Sequence, residues 1–491
     1  MISVKSDLER IYKAGIRLLP DAYEYLEQNA IEEAVLQKIL SADAPFVTKD
    51  MLLSFVAAEG KIPVQAIVSR PTDFKPIAKE YSADFKVIDK SDISGKSNCT
   101  GKLEDFVAHF RNRFERISKI LRDRVTPNPV VSTAKLPDNA GQRVRLIVMI
   151  TEKRTTKKGN LLLDVEDEEG TAKVVIMQKT AAWDASLRML HDDIVAIDGK
   201  LTFDGQKAGE LFIAENVTYP EISFGREFRK SEKDVAIAYV SDLHFGSKKF
   251  LEKEFMRFVN WLNGNEGNRA LAGKVKYLLV CGDVVDGIGI YPDQEKELAV
   301  KDIYKQYEMF DHALEKVPEY ITVVVTPGNH DAVRRAEPQP MIPYDMLKSE
   351  VVRAGNPSKI EIEGLKHLMY HGTSLDSVIA GVTGLTYSEP QEAMLELLRR
   401  RHLSPIYGDN VIVPEERDYL VMDEEPDVLH VGHVHKNGIK MYRGTLLINS
   451  GTFQDRTDFQ VRMGHVPSPG LVTVLETKTS KINQVNFMGA E

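Results

Sequence analysis

The sequence predicts a multidomain α/β protein with a helical N-terminal module, a small β-barrel and an α/β layered domain. Three patterns predict it. Apolar residues recur every three or four positions over the first ~75 residues and again from Leu103 to Val125, the period of amphipathic helices. Between about 141 and 225 the period falls to two, with hairpin signals. From Asp234 onward, short apolar strands alternate with helical stretches, and a residue able to bind metal follows five of those strands directly.

The bulk properties fit this organisation. The 491 residues suggest two to four domains at ~100–200 residues each. Hydrophobic residues make up 43% and charged residues 28%, as in ordinary globular chains. No apolar run approaches the ~18 residues of a membrane span. The first fifteen residues carry charges where a secretory signal needs an apolar core, so a cytoplasmic location is expected. Two cysteines argue against a disulfide framework or a thiolate zinc site. The net charge of −9 gives no direct sign of nucleic-acid binding, although local basic patches and bound divalent ions can supply the attraction.

Along the chain, residues 1–75 read as the helical module, through Leu8, Ile11, Tyr12 and Ile16, then Ile31, Val35 and Ile39, then a short helix from Thr48 to Glu59. Residues 76–101 read as a flexible linker. Asp92 to Ser97 resembles the tail of a phosphate-binding loop, but Lys90 stands where that loop needs a glycine. Residues 102–232 hold a helix, with Phe106, Phe110, Phe114, Ile117 and Leu121 along one face. Strand patterns follow at Val144–Ile150, Leu161–Val165, Ala172–Ile176, Asp193–Leu201 and Glu210–Val217. Five strands with a helical insert at Ala182–Leu190 fit an OB-fold barrel. Lys153, Arg154, Lys157 and Lys158 lie in its first loop, either against a nucleic-acid backbone or at a solvated hairpin tip.

Residues 233–491 carry the chemistry. Val235–Val240 leads to Asp242 and His244. Tyr277–Cys281 leads to Asp283 and Asp286. Ile321–Val325 leads to Asn329, His330 and Asp331. His367–Tyr370 leads to His371. Val428–Val431 leads to His433 and His435. Ligands gather at strand ends in α/β sheets because side chains and loops converge on one rim. Asp-x-His and His-x-His put two donors on the same side of an extended segment. Carboxylate, imidazole and amide oxygen suit Mn, Fe or Zn. Two such ions ~3.5–4 Å apart can activate a hydroxide and hold a phosphate for in-line attack. A lone Gly-Asn-His is usually a turn, and Asp242 or Asp283 alone could be a helix cap. Five fragments in order, each at a strand end, are hard to obtain by chance.

That ordered set resembles the calcineurin-like metallophosphoesterases over about 240 residues. Carried across, the resemblance gives one metal to Asp242, His244, Asp283 and His435. It gives a second to Asp283, Asn329, His371 and His433. His330 would be the acid that protonates the leaving oxygen, and Asp286 would orient it. Three further stretches, Pro327–Pro340, Arg399–Gly408 and Asn449–Gln454, together with the upstream barrel, are similar to the small-subunit family of archaeal DNA polymerase D. That resemblance implies a 3′→5′ proofreading exonuclease with two divalent ions, Mn first and Fe or Zn as alternatives. It also implies a heterodimer or larger assembly with the large catalytic subunit, and a substrate that is a single-stranded or mismatched DNA 3′ end. The sliding clamp is a further partner to weigh, although Gln484–Phe487 is too short for a clamp motif and reads as a final strand.

Arg334 and Arg335 are candidate DNA contacts. Arg399–Arg401 end a helix, where cations are stabilised anyway. Two other functions share the ligand set, a phosphatase and a non-catalytic assembly subunit. A DNA oligonucleotide tested beside a phosphomonoester separates the first, and metal content separates the second.

Overall fold

The computed structural model describes residues 70–203 and 208–489, with isolated stretches before residue 70. The chain forms two compact units, Met1–Ser69 and Arg70–Glu491. In the first unit, residues 10–13 are helical, and Arg17–Leu18 pairs in parallel with Phe46–Val47. Of the helix expected from Thr48 to Glu59, all but Thr48 lies outside the described residues.

The segment expected to be a flexible linker is instead built into the second unit. Its strand β1 (Phe85–Val87) pairs antiparallel with Ser358–Ile362. Asp92 accepts hydrogen bonds from the backbone N–H of Gly355 and of Ser94, each at 2.8 Å. Lys96 turns to Asp89 and to the Asp92 carbonyl, not to a phosphate site. Weak patterning suggested a linker, but Phe85–Val87 forms one edge strand of a six-stranded sheet.

Helix α1 (Leu103–Arg122) follows, as its apolar stripe requires. Phe114, Ile117 and Leu121 pack on Ile147, Ile194 and Ala196 of the barrel and on Val421. The barrel is β2 (Arg143–Thr155), β3 (Leu161–Glu166), β4 (Thr171–Ile176), β5 (Ile194–Phe203) and β6 (Ala208–Thr218), closed in the order β2-β3-β4-β6-β5. Val144, Leu146, Val148 and Ile150 of β2, with Leu161, Leu163 and Val165 of β3, point alternately inward to fill it. The helix α2 (Ala181–Ser186) joins β4 to β5. At the β5–β6 bulge, a Cβ on Gly199 would lie 2.2 Å from the Ile213 carbonyl oxygen, so only glycine lets the strands close there.

The rest is a four-layered α/β domain. Its strands are β7 (Ala236–Val240), β8 (Val275–Cys281), β9 (Thr322–Thr326), β10 (Val352–Arg353), β11 (Ser358–Ile362), β12 (Leu365–Tyr370), β13 (Val428–Val431), β14 (Asn437–Tyr442), β15 (Thr445–Ser450), β16 (Leu471–Glu476) and β17 (Ile482–Asn486). One sheet runs β10-β9-β8-β7-β16-β17 and the other β14-β15-β13-β12-β11-β1. Tyr239, Tyr277 and Leu279 from the first sheet meet Met369, Val428 and Ile448 from the second in a shared core. Helices α3 (Glu252–Leu262) and α4 (Ile303–Leu314) cover the outer face of the first sheet. Helices α5 (Leu375–Gly381) and α6 (Pro390–Arg400) cover the second. Burial on both faces explains why β7, β8 and β13 read as near-continuous apolar runs. No helix among the described residues is long and apolar enough to cross a membrane.

Candidate metal centre

Parallel register brings the strand ends together. Val240 is level with Val280 and Cys281 with Thr326 in the first sheet, and Tyr370 is level with Val431 in the second. Asp242, Asp283 and Asn329 therefore leave one sheet edge, and His371, His433 and His435 leave the other, at a common rim. Glycines let these turns press together. A Cβ on Gly328 would lie 2.2 Å from Asp283 Oδ1, and one on Gly432 would lie 2.5 Å from Asp242 Oδ2.

The backbone under the ligands is not extended, as the Asp-x-His spacing suggested. Asp242, His244, Asp283, His433 and His435 all have left-handed conformations, with φ of 51°, 54°, 51°, 69° and 56°. Such conformations cost roughly 1–3 kcal/mol each and cluster at functional sites. Here they turn each donor sharply off its strand toward the rim.

The donors fall into two adjoining groups. In the first, His244 Nε2 lies 3.0 Å from His435 Nε2, and His435 Nε2 lies 3.5 Å from Asp242 Oδ1. In the second, His371 Nε2 lies 3.2 Å from Asp283 Oδ2 and 3.0 Å from Asn329 Oδ1. Asp283 stands between them, with Oδ2 3.9 Å from both His244 Nε2 and His330 Nε2. His433 is set apart from this tight cluster. Its ring centroid is 5.4 Å from that of His371, and its Nε2 donates to Asp376 Oδ2 at 3.0 Å.

This donor set fits divalent cations. Asp242 and Asp283 are buried, yet no lysine or arginine among the described residues pairs with either. Buried carboxylates need a cation or full hydrogen bonding. Each histidine also spends one ring nitrogen on a fixed partner, which orients the other. His244 Nδ1 donates to Asp286 Oδ1 at 3.0 Å, and His371 Nδ1 donates to the Cys281 carbonyl at 3.0 Å. His435 Nδ1 lies 2.9 Å from the Gln460 amide. Protons stand in for the missing charge. Burial opposes ionisation of His371, but Asp283 and Asp242 push its pKa up to about 10. Burial likewise opposes the charge on Asp283, yet His371, His330 and His244 hold it well below the carboxylate range.

One expected role changes. The Asp286 carboxylate orients His244, not His330, and is itself held by Gln454 Nε2 at 3.0 Å. His330 is oriented by the Asp286 backbone, since its Nδ1 donates to that carbonyl at 2.7 Å. The resemblance pointed to the correct residue, whose backbone carbonyl and not its carboxylate holds His330.

The candidate DNA contacts separate. Arg334 is tied to the Pro338 carbonyl at 2.8 Å, to Ser97 and to Glu415, so its guanidinium braces the protein interior. Arg335 is exposed and reaches the Gly289 carbonyl. Lys153 donates to the Met189 carbonyl at 3.0 Å, and burial lowers its pKa. Arg154 pairs with Asp164 and Glu152. Lys157 and Lys158 stand exposed at the hairpin tip. Arg400 joins Asp193 of the barrel to Glu396 in a buried bridge, so the Arg399–Arg401 run belongs to a domain junction.

Sequence reasoning missed Asp376, Gln454 and Gln460, which lie far along the chain from the histidine or aspartate they contact. It also gave no role to Asp331, which accepts from Gly328 N at 2.8 Å and from the Tyr307 hydroxyl at 2.9 Å, fixing the Asn329 loop. His244, Asp283, His433 and His435 open into a cleft of about 220 Å³ that also carries Tyr291, Tyr387 and His465.

Paired sheets with this rim of aspartate, asparagine and histidine define a calcineurin-like phosphoesterase domain, and the model of that family matches residues 235–437. That family uses divalent metals. The DNA polymerase II small subunit of Archaeoglobus fulgidus is 38% identical over 94% of this chain and 93% of its own length. That of Methanothermobacter thermautotrophicus is 36% identical over 96% and 97%, and that of Methanocaldococcus jannaschii 38% identical over 82% and 68%. The chain belongs to the family of archaeal DNA polymerase II small subunits, the enzyme also called polymerase D.

Proposed function

We propose that this chain is the 3′→5′ exonuclease of a two-subunit DNA polymerase, releasing nucleoside 5′-phosphates from DNA ends during replication. The observation that carries the reading is the full set of donors, most of them buried, with no lysine or arginine paired to Asp242 or Asp283 among the described residues. An assembly subunit that had lost catalysis would have no reason to keep it. Asp242, His244, Asp283 and His435 would hold one ion, and Asp283, Asn329, His371 and His433 the other, with manganese the first choice. Bound there, two divalent ions supply Lewis acidity toward the phosphodiester and ease deprotonation of water.

The protein's own groups do the rest. The Asp286 carbonyl fixes His330 Nδ1–H, so Nε2 faces the cleft, where it can give a proton to the departing 3′ oxygen. Burial lowers the His330 pKa, while Asp283 and Asp286 favour the protonated ring that must carry this proton on Nε2. Asp376 holds His433 and Gln454 holds Asp286, so the rim needs little rearrangement to receive a phosphate. The barrel's strand order and the helix between its third and fourth strands support an OB fold, with exposed Lys157 and Lys158 available to a DNA backbone. A large catalytic subunit is the natural partner of a chain in this family.

The test is end polarity. Single-stranded DNA labelled at its 5′ end should yield a ladder of shortened products with manganese, and DNA labelled at its 3′ end should release labelled mononucleotide at once. Absence of both, with the large subunit added, would leave an assembly role. Cleavage of a phosphomonoester alone would indicate a phosphatase.

A further inference from the structure

The cleft has an aromatic wall that hydrolysis itself does not use. Tyr387 and His465 lie ring to ring, with centroids 4.0 Å apart and planes inclined by 32°. Both are half-buried and line the cleft together with Asp283, His330 and His433. They come from separate segments, Tyr387 between α5 and α6 and His465 just after α7 (Asp458–Met463), so the stack is a tertiary contact.

This wall is anchored to the metal centre. The Tyr387 hydroxyl donates to Asp376 Oδ1 at 2.9 Å, while Asp376 Oδ2 holds His433 Nε2 at 3.0 Å. The phenol ring is thus two hydrogen bonds from a proposed ligand. A nucleobase is joined to its phosphate through one sugar. A terminal phosphodiester seated at Asp283 and His330 therefore carries its base into this same cleft. Every base offers a π-face, and stacking on aromatic rings tolerates any sequence, as an exonuclease that removes all four nucleotides requires.

We propose that Tyr387 and His465 form a stacking platform for the 3′-terminal nucleobase. The inference rests on the exonuclease reading and adds a binding site to it. Excision of a terminal thymidine should be compared with excision of a terminal tetrahydrofuran abasic nucleotide from the same single-stranded DNA, with manganese. The wild-type protein should favour the base-bearing end by on the order of 10-fold. Compared with Tyr387→Phe, which lacks the same hydroxyl, Tyr387→Leu should erase that preference by slowing the base-bearing end. Tyr387→Phe, which keeps the ring, should retain it. Equal excision of both ends by the wild type, equal slowing of both by Tyr387→Leu, or a preference that survives Tyr387→Leu would overturn the platform. If the wild type excises neither, the exonuclease reading fails, and a binding measurement decides the platform alone. An oligonucleotide with 2-aminopurine at its 3′ end, mixed with the full chain and manganese, should be quenched by the wild type and not by Tyr387→Leu. Equal signals would overturn it.

Discussion

Asp283 and Asp418 are both buried aspartates ringed by histidines, but their partners differ in kind. Asp418 receives Arg113 Nε at 2.6 Å and His402 Nε2 at 2.9 Å, with His109 Nε2 at 3.4 Å. His402 Nδ1 accepts from Ser404 N and burial presses its pKa down to about 4, so it is neutral and the guanidinium alone balances Asp418. Asp283 meets His371, His330 and His244 and no guanidinium or ammonium. The first cluster holds a permanent cation against its carboxylate, and it staples α1 to the layered domain. The second holds only imidazoles that can lose their protons, and it lines a cleft. Residue type and burial do not separate a staple from a metal site; the balance of charge does.

That contrast can be tested by substitution. The largest effect belongs to Asp283→Ala, which should abolish retention of both ions and reduce excision to background, read by metal analysis of the dialysed protein beside the nuclease assay. His330→Ala should retain the ions while slowing excision by ~10²–10⁴-fold, as loss of a general acid does; full activity would remove His330 from the chemistry. Asp418→Ala should leave Arg113 buried and unpaired and cost about 3–5 kcal/mol of stability in denaturant unfolding, with manganese binding by the folded protein unchanged. Asp286→Asn should weaken manganese binding by roughly 10–100-fold, because it loosens His244. The smallest effect is a proton count. Since His371 without metal is protonated up to about pH 10, metal binding at pH 7 must displace that proton, and apparent affinity should rise with pH. Calorimetry in two buffers of different ionisation enthalpy measures the release.

The candidate site was legible because its donor side chains follow their strands directly. Asp242, Asp283, Asn329, His371 and His433 each sit within four residues of a strand end, and parallel pairing then aligns those ends without long-range information. What was not legible depends on tertiary approach. Asp376 reaches His433 from across 57 positions, and Gln454 reaches Asp286 from across 168. Arg334 shows the same limit. Arg334 follows the Asn329–His330 motif closely in sequence, yet its guanidinium finds Glu415 and Ser97, which no local pattern places beside it. The segment read as a linker failed because a three-residue edge strand leaves almost no periodicity to detect.

The most direct measurement is a manganese titration of EDTA-stripped protein in which bound metal and 3′-end excision are followed together. The account predicts two ions per chain, excision that rises with their occupancy, loss of both in Asp283→Ala and retention of both ions in Asp418→Ala. Excision without metal, or unchanged metal binding in Asp283→Ala, would contradict it.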